Sequence, residues 1–471
     1  MSLVVNSELR YNEEPLPLGS SRRVVEYQNS KGVITQGNRA YIKIPNGRNQ
    51  FIDTGDAYIK FSVNTTWTGT NLPTVSGDPG SQINAGGDIR LSGSGAVSFI
   101  RSIQIFSNSA LVCTIDNANR IASILQVANH GYTSHNAESI MGGISFDDGQ
   151  SLLGNDIIKT YGYPRSGSSA TVSNAPTMTF CLNANILGCL GDGTLLPVNA
   201  LKNGLELQIE FESDGFLSYN TVSKASNAPT LTSIQSSFFN ISYVAPIIEL
   251  DDSSMIAVNR ENGFGSSNVM WSGVNYHSSI LQWSAAQQDA VGEYTALVPS
   301  NRFTSLKNIL LGAFKSDVSG TPTSKATDEL NVPVIPVSSL MYRMNGTEYP
   351  LNRINTVEKA VQQTIACFSN NSNSVGNTIM TRGKTALNNR QINVSATEPL
   401  TSIDRGVIGV NLESWAETDA ISGLDVSESD TEVLLGSDGG TAITSSQLCF
   451  VSTYDIVYVI SQEGVLSASW S

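Results

Sequence analysis

Charge is scarce in this chain. Of its 471 residues only 14% are Asp, Glu, Lys or Arg, against roughly 25% in an ordinary soluble domain. Basic residues are the scarcer kind, 27 against 41 acids, for a formal net charge of −14. The basic footprint that wraps nucleic acid is missing, so no direct sequence-specific nucleic-acid binding is expected. After Arg405 there is no Lys or Arg at all, while acids run from Glu413 to Glu463. Such a run reads as a solvated face that keeps a concentrated protein soluble.

Histidine is nearly absent. His130, His135 and His277 are the three in the sequence, and a Ser-His-Asp triad needs one beside a nucleophile and an orienting acid. His130 and His135 are five apart, which fits neither a helical i, i+4 zinc pair nor a C2H2 site. The five cysteines, Cys113, Cys181, Cys189, Cys367 and Cys449, are odd in number and form no C-x-x-C pair. Disulfide scaffolds and zinc ribbons need denser pairing, so free buried thiols and assembly in a reducing compartment are expected. No apolar run approaches the roughly 18–20 residues that span a bilayer. Met1-Ser-Leu-Val-Val is soon followed by Glu8, Arg10, Glu13 and Glu14, which does not read as a secretory leader, and the protein is expected not to be secreted.

The remaining candidates for chemistry fail on spacing. Gly383-Lys384-Thr385 ends like a P-loop, but the required earlier glycine would stand at Thr378 and the nearest is Gly376. The adjacent pairs Asp147-Asp148 and Asp251-Asp252 cannot line one cleft from a strand, because consecutive side chains point to opposite faces. Glu206, Glu210 and Glu212 do share a strand face, and a regular acidic stripe reads as a solvent or subunit-contact face rather than a hydrolase pair. The N-x-[ST] triplets at Asn64, Asn240, Asn345, Asn370 and Asn393 are chance matches in an Asn/Ser/Thr-rich chain. Trp67, Trp271, Trp283, Trp415 and Trp470 show no binding-platform spacing. The expectation is a non-enzyme with no catalytic residue, metal or cofactor.

What the chain has is alternation. In Leu205–Glu212 the apolar Leu205, Leu207, Ile209 and Phe211 alternate with Glu206, Gln208, Glu210 and Glu212. Period two marks a strand with one face in a core and one in water. The same rhythm runs through Val24–Tyr27, Ala40–Ile44, Ala57–Val63, Phe99–Phe106, Leu111–Ile115, Met178–Leu187 and Phe238–Ile248. It begins again after Glu249-Leu250-Asp251-Asp252, from Val269 to Trp470. Helices are predicted after Asp116 (with Ile121, Ile124 and Leu125 as its stripe), within Ser305–Phe314, and after Asn355. The last is opened by a capping box of Asn355 with Glu358 and carries Val357, Val361, Ile365 and Phe368 on one face. The long loops near 68–96 and 143–176, rich in Gly, Ser, Asn, Thr and Pro, read as functional or interfacial. Strands joined by very unequal connections, with no short repeat, suit Greek-key sandwiches of the jelly-roll kind. The fold expected is all-β: two tandem eight-stranded jelly-roll β-sandwiches with a few short helices. The expected division is an arm over 1–24, a first jelly roll over 25–255 and a second over 256–471.

Several segments, in this order, resemble the double jelly-roll major capsid proteins of DNA viruses of the polinton-like virus and virophage lineage. They are FIDTGDAYIKF (51–61), FIRSIQIF (99–106), LPVNALKNGLELQIEFE (196–212) and FNISYVAPIIEL (239–250). The second half adds YPLNR (349–353), IGVNLE (408–413), YDIVYVI (454–460) and GVLSASW (464–470). The resemblance implies a capsid protein whose two barrels stand side by side, three copies forming a pseudo-hexameric homotrimeric capsomer that tiles an icosahedral virion shell. It implies neighbouring capsomers, penton and minor or cement proteins as partners, and assembly inside the host cell. The arm, with Arg22-Arg23, is expected to reach a neighbour, a minor protein or an inner membrane. The loops of the first half and 316–330 would form modest outward decoration. A receptor- or carbohydrate-binding β-sandwich, such as a spike or fibre, is the alternative.

Overall fold

The computed structural model describes residues 20–70, 88–92, 94–129, 141–143, 166–169, 172–174, 177–222, 230–262, 268–284, 286–287, 294–315, 337–368, 406–413, 422–428, 430–437 and 446–469. His130, His135, Asp147-Asp148, the Gly383-Lys384-Thr385 motif, Asn370, Asn393, Trp415, Trp470 and the 316–330 loop lie outside these residues. So do most of the loops near 68–96 and 143–176.

Eight main strands build the first half: β1 (Ser20–Gln28), β2 (Arg39–Ile44), β3 (Tyr58–Thr70), β4 (Ile100–Ser107), β5 (Ala110–Asp116), β6 (Met178–Asn183), β7 (Leu205–Phe211) and β8 (Thr230–Leu250). One sheet runs β1-β8-β3-β6 and the other β2-β7-β4-β5, antiparallel throughout. Eight more build the second half: β9 (Val269–Trp283), β10 (Tyr294–Leu297), β11 (Leu306–Lys315), β12 (Val337–Met344), β13 (Thr347–Ile354), β14 (Ile408–Asn411), β15 (Glu432–Ser437) and β16 (Ser446–Ile460). Their sheets run β9-β16-β11-β14 and β10-β15-β12-β13. In each half the first, eighth, third and sixth strands face the second, seventh, fourth and fifth. That repeated order is the jelly-roll arrangement, two Greek keys wrapped into a sandwich. Both halves also place a helix after their fifth strand, α1 (Ala118–Asn129) in the first barrel and α3 (Val357–Ala366) in the second. The short α2 (Asp252–Asn262) follows β8.

The alternation of β7 is realised residue by residue. Leu205, Leu207, Ile209 and Phe211 are buried, and the residues between them are half-buried on the other face. Phe211 stacks on Phe238 of β8 at 3.9 Å between ring centroids. Phe61 meets both rings, with Phe180 and Phe99, at 5.8–6.3 Å. Aromatic pairs at these separations add about 0.5–1.5 kcal/mol each beyond the area they bury.

Two expectations are corrected. Leu306–Lys315 is strand β11, not a helix: it pairs with β14 on one side and β16 on the other. Helix α3 is capped by Thr356 rather than Asn355, its hydroxyl accepting from the Lys359 amide at 3.4 Å. Its sheet-facing residues include Ala360, Thr364 and Cys367, while Ile365 stands 39% exposed.

Candidate functional site

The chemistry-bearing residues within the described segments are each occupied structurally. In the acidic stripe, Glu210 is held by Arg39 at 2.7 Å and Arg101 at 3.4 Å. Glu206 accepts from the Gln208 side chain at 2.8 Å, and Glu212 from the Asn119 side chain at 3.0 Å and the Ser213 backbone amide at 2.9 Å. Each carboxylate therefore faces partners inside its own chain. The Asp251-Asp252 pair is split between two tasks. Asp251 accepts from the Ser254 amide at 2.7 Å at the start of α2; hydrogen bonds from the Ser254 side chain first and its backbone amide second hold the Asp251 carboxyl below the usual range, and Asp252 pairs with Arg48. His277 is half-buried with its ring edge-on to Phe303 at 5.6 Å, and desolvation lowers its pKa.

All five cysteines are free thiols. Burial pushes Cys113 and Cys449 up to about 12, and raises Cys181, Cys189 and Cys367 as well. A thiol is nucleophilic as its thiolate, so burial makes the four buried groups inert at neutral pH and the half-exposed Cys181 a weak nucleophile. Among the described residues no three His, Cys, Asp or Glu side chains are grouped to hold a metal ion. No helix among them is long and apolar enough to cross a membrane.

The feature that composition did not reveal is the seam between the barrels. The outer face of the β9-β16-β11 sheet lies against α1, β5 and the turn at Gly188–Leu190 of the first barrel. Strand β16 serves two cores. Leu448 and Phe450 belong to the second barrel's interior, whereas Cys449, Val451, Tyr454, Ile456, Tyr458 and Ile460 join the core of the first. Polar contacts fix the register. The Trp271 indole donates to Asp192 at 3.3 Å, the Arg120 guanidinium to Gln447 at 3.3 Å, and the Asn117 amide to the Ser278 hydroxyl at 3.1 Å. Arg120 also lies over the Phe314 ring, 5.9 Å from its centroid. At Gly188, φ is +54° and an added Cβ would stand 2.8 Å from the Cys113 sulfur, so close approach requires glycine there.

A second internal device closes the end of the second barrel. Lys307 pairs with Glu413 at 2.9 Å and Asp455 at 3.4 Å, with all three side chains at most 15% exposed. Asp455 also accepts from the Ser305 hydroxyl at 2.5 Å and from the Ser422 amide at 3.3 Å. This network ties the 422–428 segment to β11 and β16.

No family model and no curated protein matches the sequence. The solved structures tell more. A chain of the Sputnik virophage matches with a TM-score of 0.61 at 13% identity, over 100% of this chain and 93% of that one. The Faustovirus major capsid protein matches at 0.58 and 10%, over 97% of this chain and 92% of its own. The mavirus major capsid protein matches at 0.56 and 10%, over 100% and 96%. The chain has the double jelly-roll fold of viral major capsid proteins. In that double jelly roll the two barrels follow one another without an intervening domain, and the likeness spans both.

Proposed function

We propose that this chain is the major capsid protein of an icosahedral DNA virus, located in the virion shell. The observation that carries the reading is the pair of barrels with one strand order, fused through a buried seam, with likeness to major capsid proteins over the whole length. The sparse charge supports it, because wall-to-wall packing needs lateral surfaces that are cheap to desolvate. The role is structural, with no catalytic, cofactor or metal site assigned.

The capsomer in this reading is a homotrimer whose six barrels give a pseudo-hexameric outline. Its barrels correspond to about 25–255 and 256–471, with the arm expected over 1–24 shortened to the residues before Ser20, since Ser20–Val24 pair with β8 in the first barrel. Further partners are neighbouring capsomers, penton proteins and minor or cement proteins, and the arm reaches one of these or an inner membrane. Assembly takes place inside the host cell. Light scattering of the purified chain should give three times the 50.3 kDa of one chain, with hexagonal outlines in negative stain. A monomer that persists at high concentration would overturn the reading. Removing residues 1–19 should impair shells and leave capsomers intact.

A further inference from the structure

Lys307 sits where β11 is irregular. Between the pairs Leu306–Tyr454 and Asn308–Thr453, β11 takes two steps while β16 takes one. The extra residue is Lys307, and a bulge of this kind re-aims a side chain. It is aimed at two carboxylates from neighbouring segments, Glu413 just after β14 and Asp455 on β16. Its Nζ stands 2.9 Å from Glu413 Oε1 and 3.4 Å from Asp455 Oδ1. Main-chain bonds brace the group. The Asp455 amide donates to the Ser305 carbonyl at 3.0 Å, and the Leu412 amide to the Lys307 carbonyl at 2.8 Å. Leu306 and Leu412, chain neighbours of Lys307 and Glu413, belong to the second barrel's core.

The two oxygens of Asp455 have different surroundings. Oδ1 faces the amine, while Oδ2 accepts from the Ser305 hydroxyl at 2.5 Å and the Ser422 amide at 3.3 Å. Two donors fixed on one carboxyl oxygen stabilise the charge that gathers there when the carbon is attacked. An amine and a carboxyl held side by side react without the entropy cost of meeting. Glu413 lies within hydrogen-bond reach of the amine and can carry its protons. Two carboxylates and one ammonium also leave this buried group one negative charge in excess. Joining two of the charges into an amide removes the desolvation cost that both carry.

We propose that Lys307 and Asp455 join in an isopeptide bond, with Glu413 as the proton carrier. The amine nitrogen attacks Cγ of Asp455, so a C–N bond forms and the bond from Cγ to Oδ1 breaks. Of the three ammonium protons, one stays on the amide nitrogen. The other two pass by way of Glu413 to Oδ1, which leaves as water, and Glu413 ends as it began. An ammonium and a carboxylate thus give a neutral amide and water, with nothing oxidised or reduced. Burial opposes the ammonium, but the hydrogen bond to Glu413 and the charges of Asp455 and Glu413 outweigh it. The free amine is therefore a minor form, and the ion pair of the freshly folded chain converts slowly. The bond ties β11 to β16, the strand that serves both cores, and closes a long loop that the unfolded chain can no longer open.

Intact-mass spectrometry of the denatured wild-type chain tests this, before and after weeks of storage at neutral pH. The mass should fall by one water. No Lys or Arg follows Arg405, so a tryptic digest should join residues 303–315, uncut at Lys307, to residues 406–471. Fragmentation should place the link on Asp455. Lys307→Met should keep its full mass, and Glu413→Gln should form the bond about a hundredfold more slowly. A wild-type chain that keeps its full mass throughout would overturn the proposal. So would a water loss that persists in Lys307→Met, or a link that maps to Glu413. An unchanged rate in Glu413→Gln would overturn the role given to that residue.

Discussion

The indole of Trp271, on β9 of the second barrel, donates to the carboxylate of Asp192 in the first at 3.3 Å. Asp192 also accepts from the Thr194 amide and hydroxyl at 3.1 and 2.7 Å and from the Thr54 hydroxyl at 3.1 Å. Trp271 lies against the Tyr458 ring at 5.5 Å. Trp271→Phe keeps the ring contact and loses one hydrogen bond of a well-supplied acceptor, so it should cost about 1 kcal/mol. Trp271→Ala should cost about 3 kcal/mol. Urea unfolding of the isolated chain measures both, and equal costs would show that the indole N–H carries the contact.

Gly188→Ala should destabilise the seam, because the one added methyl group has no room there. The new Cβ meets the Cys113 sulfur at 2.8 Å and the Tyr458 hydroxyl at 3.2 Å, and the residue must keep a positive φ. Overpacking with backbone strain costs about 2–4 kcal/mol. The loss should appear as a lower urea midpoint. Gly193→Ala, at φ +84° with open space around it, should cost only the smaller backbone part.

Lys307→Ala should destabilise the chain by about 3–5 kcal/mol, because it strands Glu413 and Asp455 as buried like charges. The pH dependence has a definite sign. Burial opposes the Lys307 ammonium, but the hydrogen bond to Glu413 and the charges of Asp455 and Glu413 outweigh it and raise its pKa. A raised folded pKa gives stability that is complete below the unfolded lysine value of about 10.4 and is lost as pH rises through the folded value. Stability titrations above pH 10 should therefore fall more steeply in the wild type than in Lys307→Met.

Acid acts through Glu26. The Ser242 hydroxyl donates to its carboxylate at 2.8 Å and holds its pKa down, helped by Lys60 against desolvation. A depressed folded pKa gives stability present above the unfolded glutamate value of about 4.3 and lost as pH falls through the folded value. Ser242→Ala should shrink the difference in unfolding free energy between pH 7 and pH 3.

Thiol titration should separate Cys181 from the rest. It is the half-exposed one, while Cys113, Cys189, Cys367 and Cys449 are buried. In native protein at pH 8 an aromatic disulfide reagent should reach Cys181 alone, and slowly, since its pKa is also raised. All five should react in denaturant. Rapid native reaction of Cys113, Cys189 or Cys449 would mean that the seam opens, and of Cys367 that α3 lifts from β14.

Strands with one dry face were legible in the sequence; of those dry on both faces, Ser446–Ile460 reads as a strand and Leu306–Lys315 does not. Leu205–Phe211 reads correctly because Glu206, Gln208 and Glu210 mark its wet side. Leu306–Lys315 reads as a helix because Leu306, Ile309, Leu311 and Ala313 fill the second barrel while Leu310 and Phe314 fill the seam. Burial on both faces removes the alternation and leaves apolar spacings that also suit a helix. Thr347–Ile354 is hidden for another reason: Pro350 interrupts its ladder, which is tolerated because β13 is an edge strand. The stripe assigned to α3 fails at Ile365, which stands exposed while Ala360 and Thr364 are the buried positions. The acidic stripe was legible as a structural face, but its arginine partners, Arg39 and Arg101, lie too far away in sequence to be assigned from it.

The order of synthesis gives the seam a further meaning. Strand β16 is the last of the sixteen to leave the ribosome, and Leu466 after it also belongs to the first barrel's core. A nascent chain with its first barrel already wound therefore still shows an apolar flank, at α1 and around Cys113 and Cys189, until β16 has been made and has folded back. During that interval the flank that another barrel will cover is open to any barrel, including one on a neighbouring polysome. Chaperones that hold apolar surface would be needed most during that interval, and a slow codon before Ser446 would lengthen the exposure.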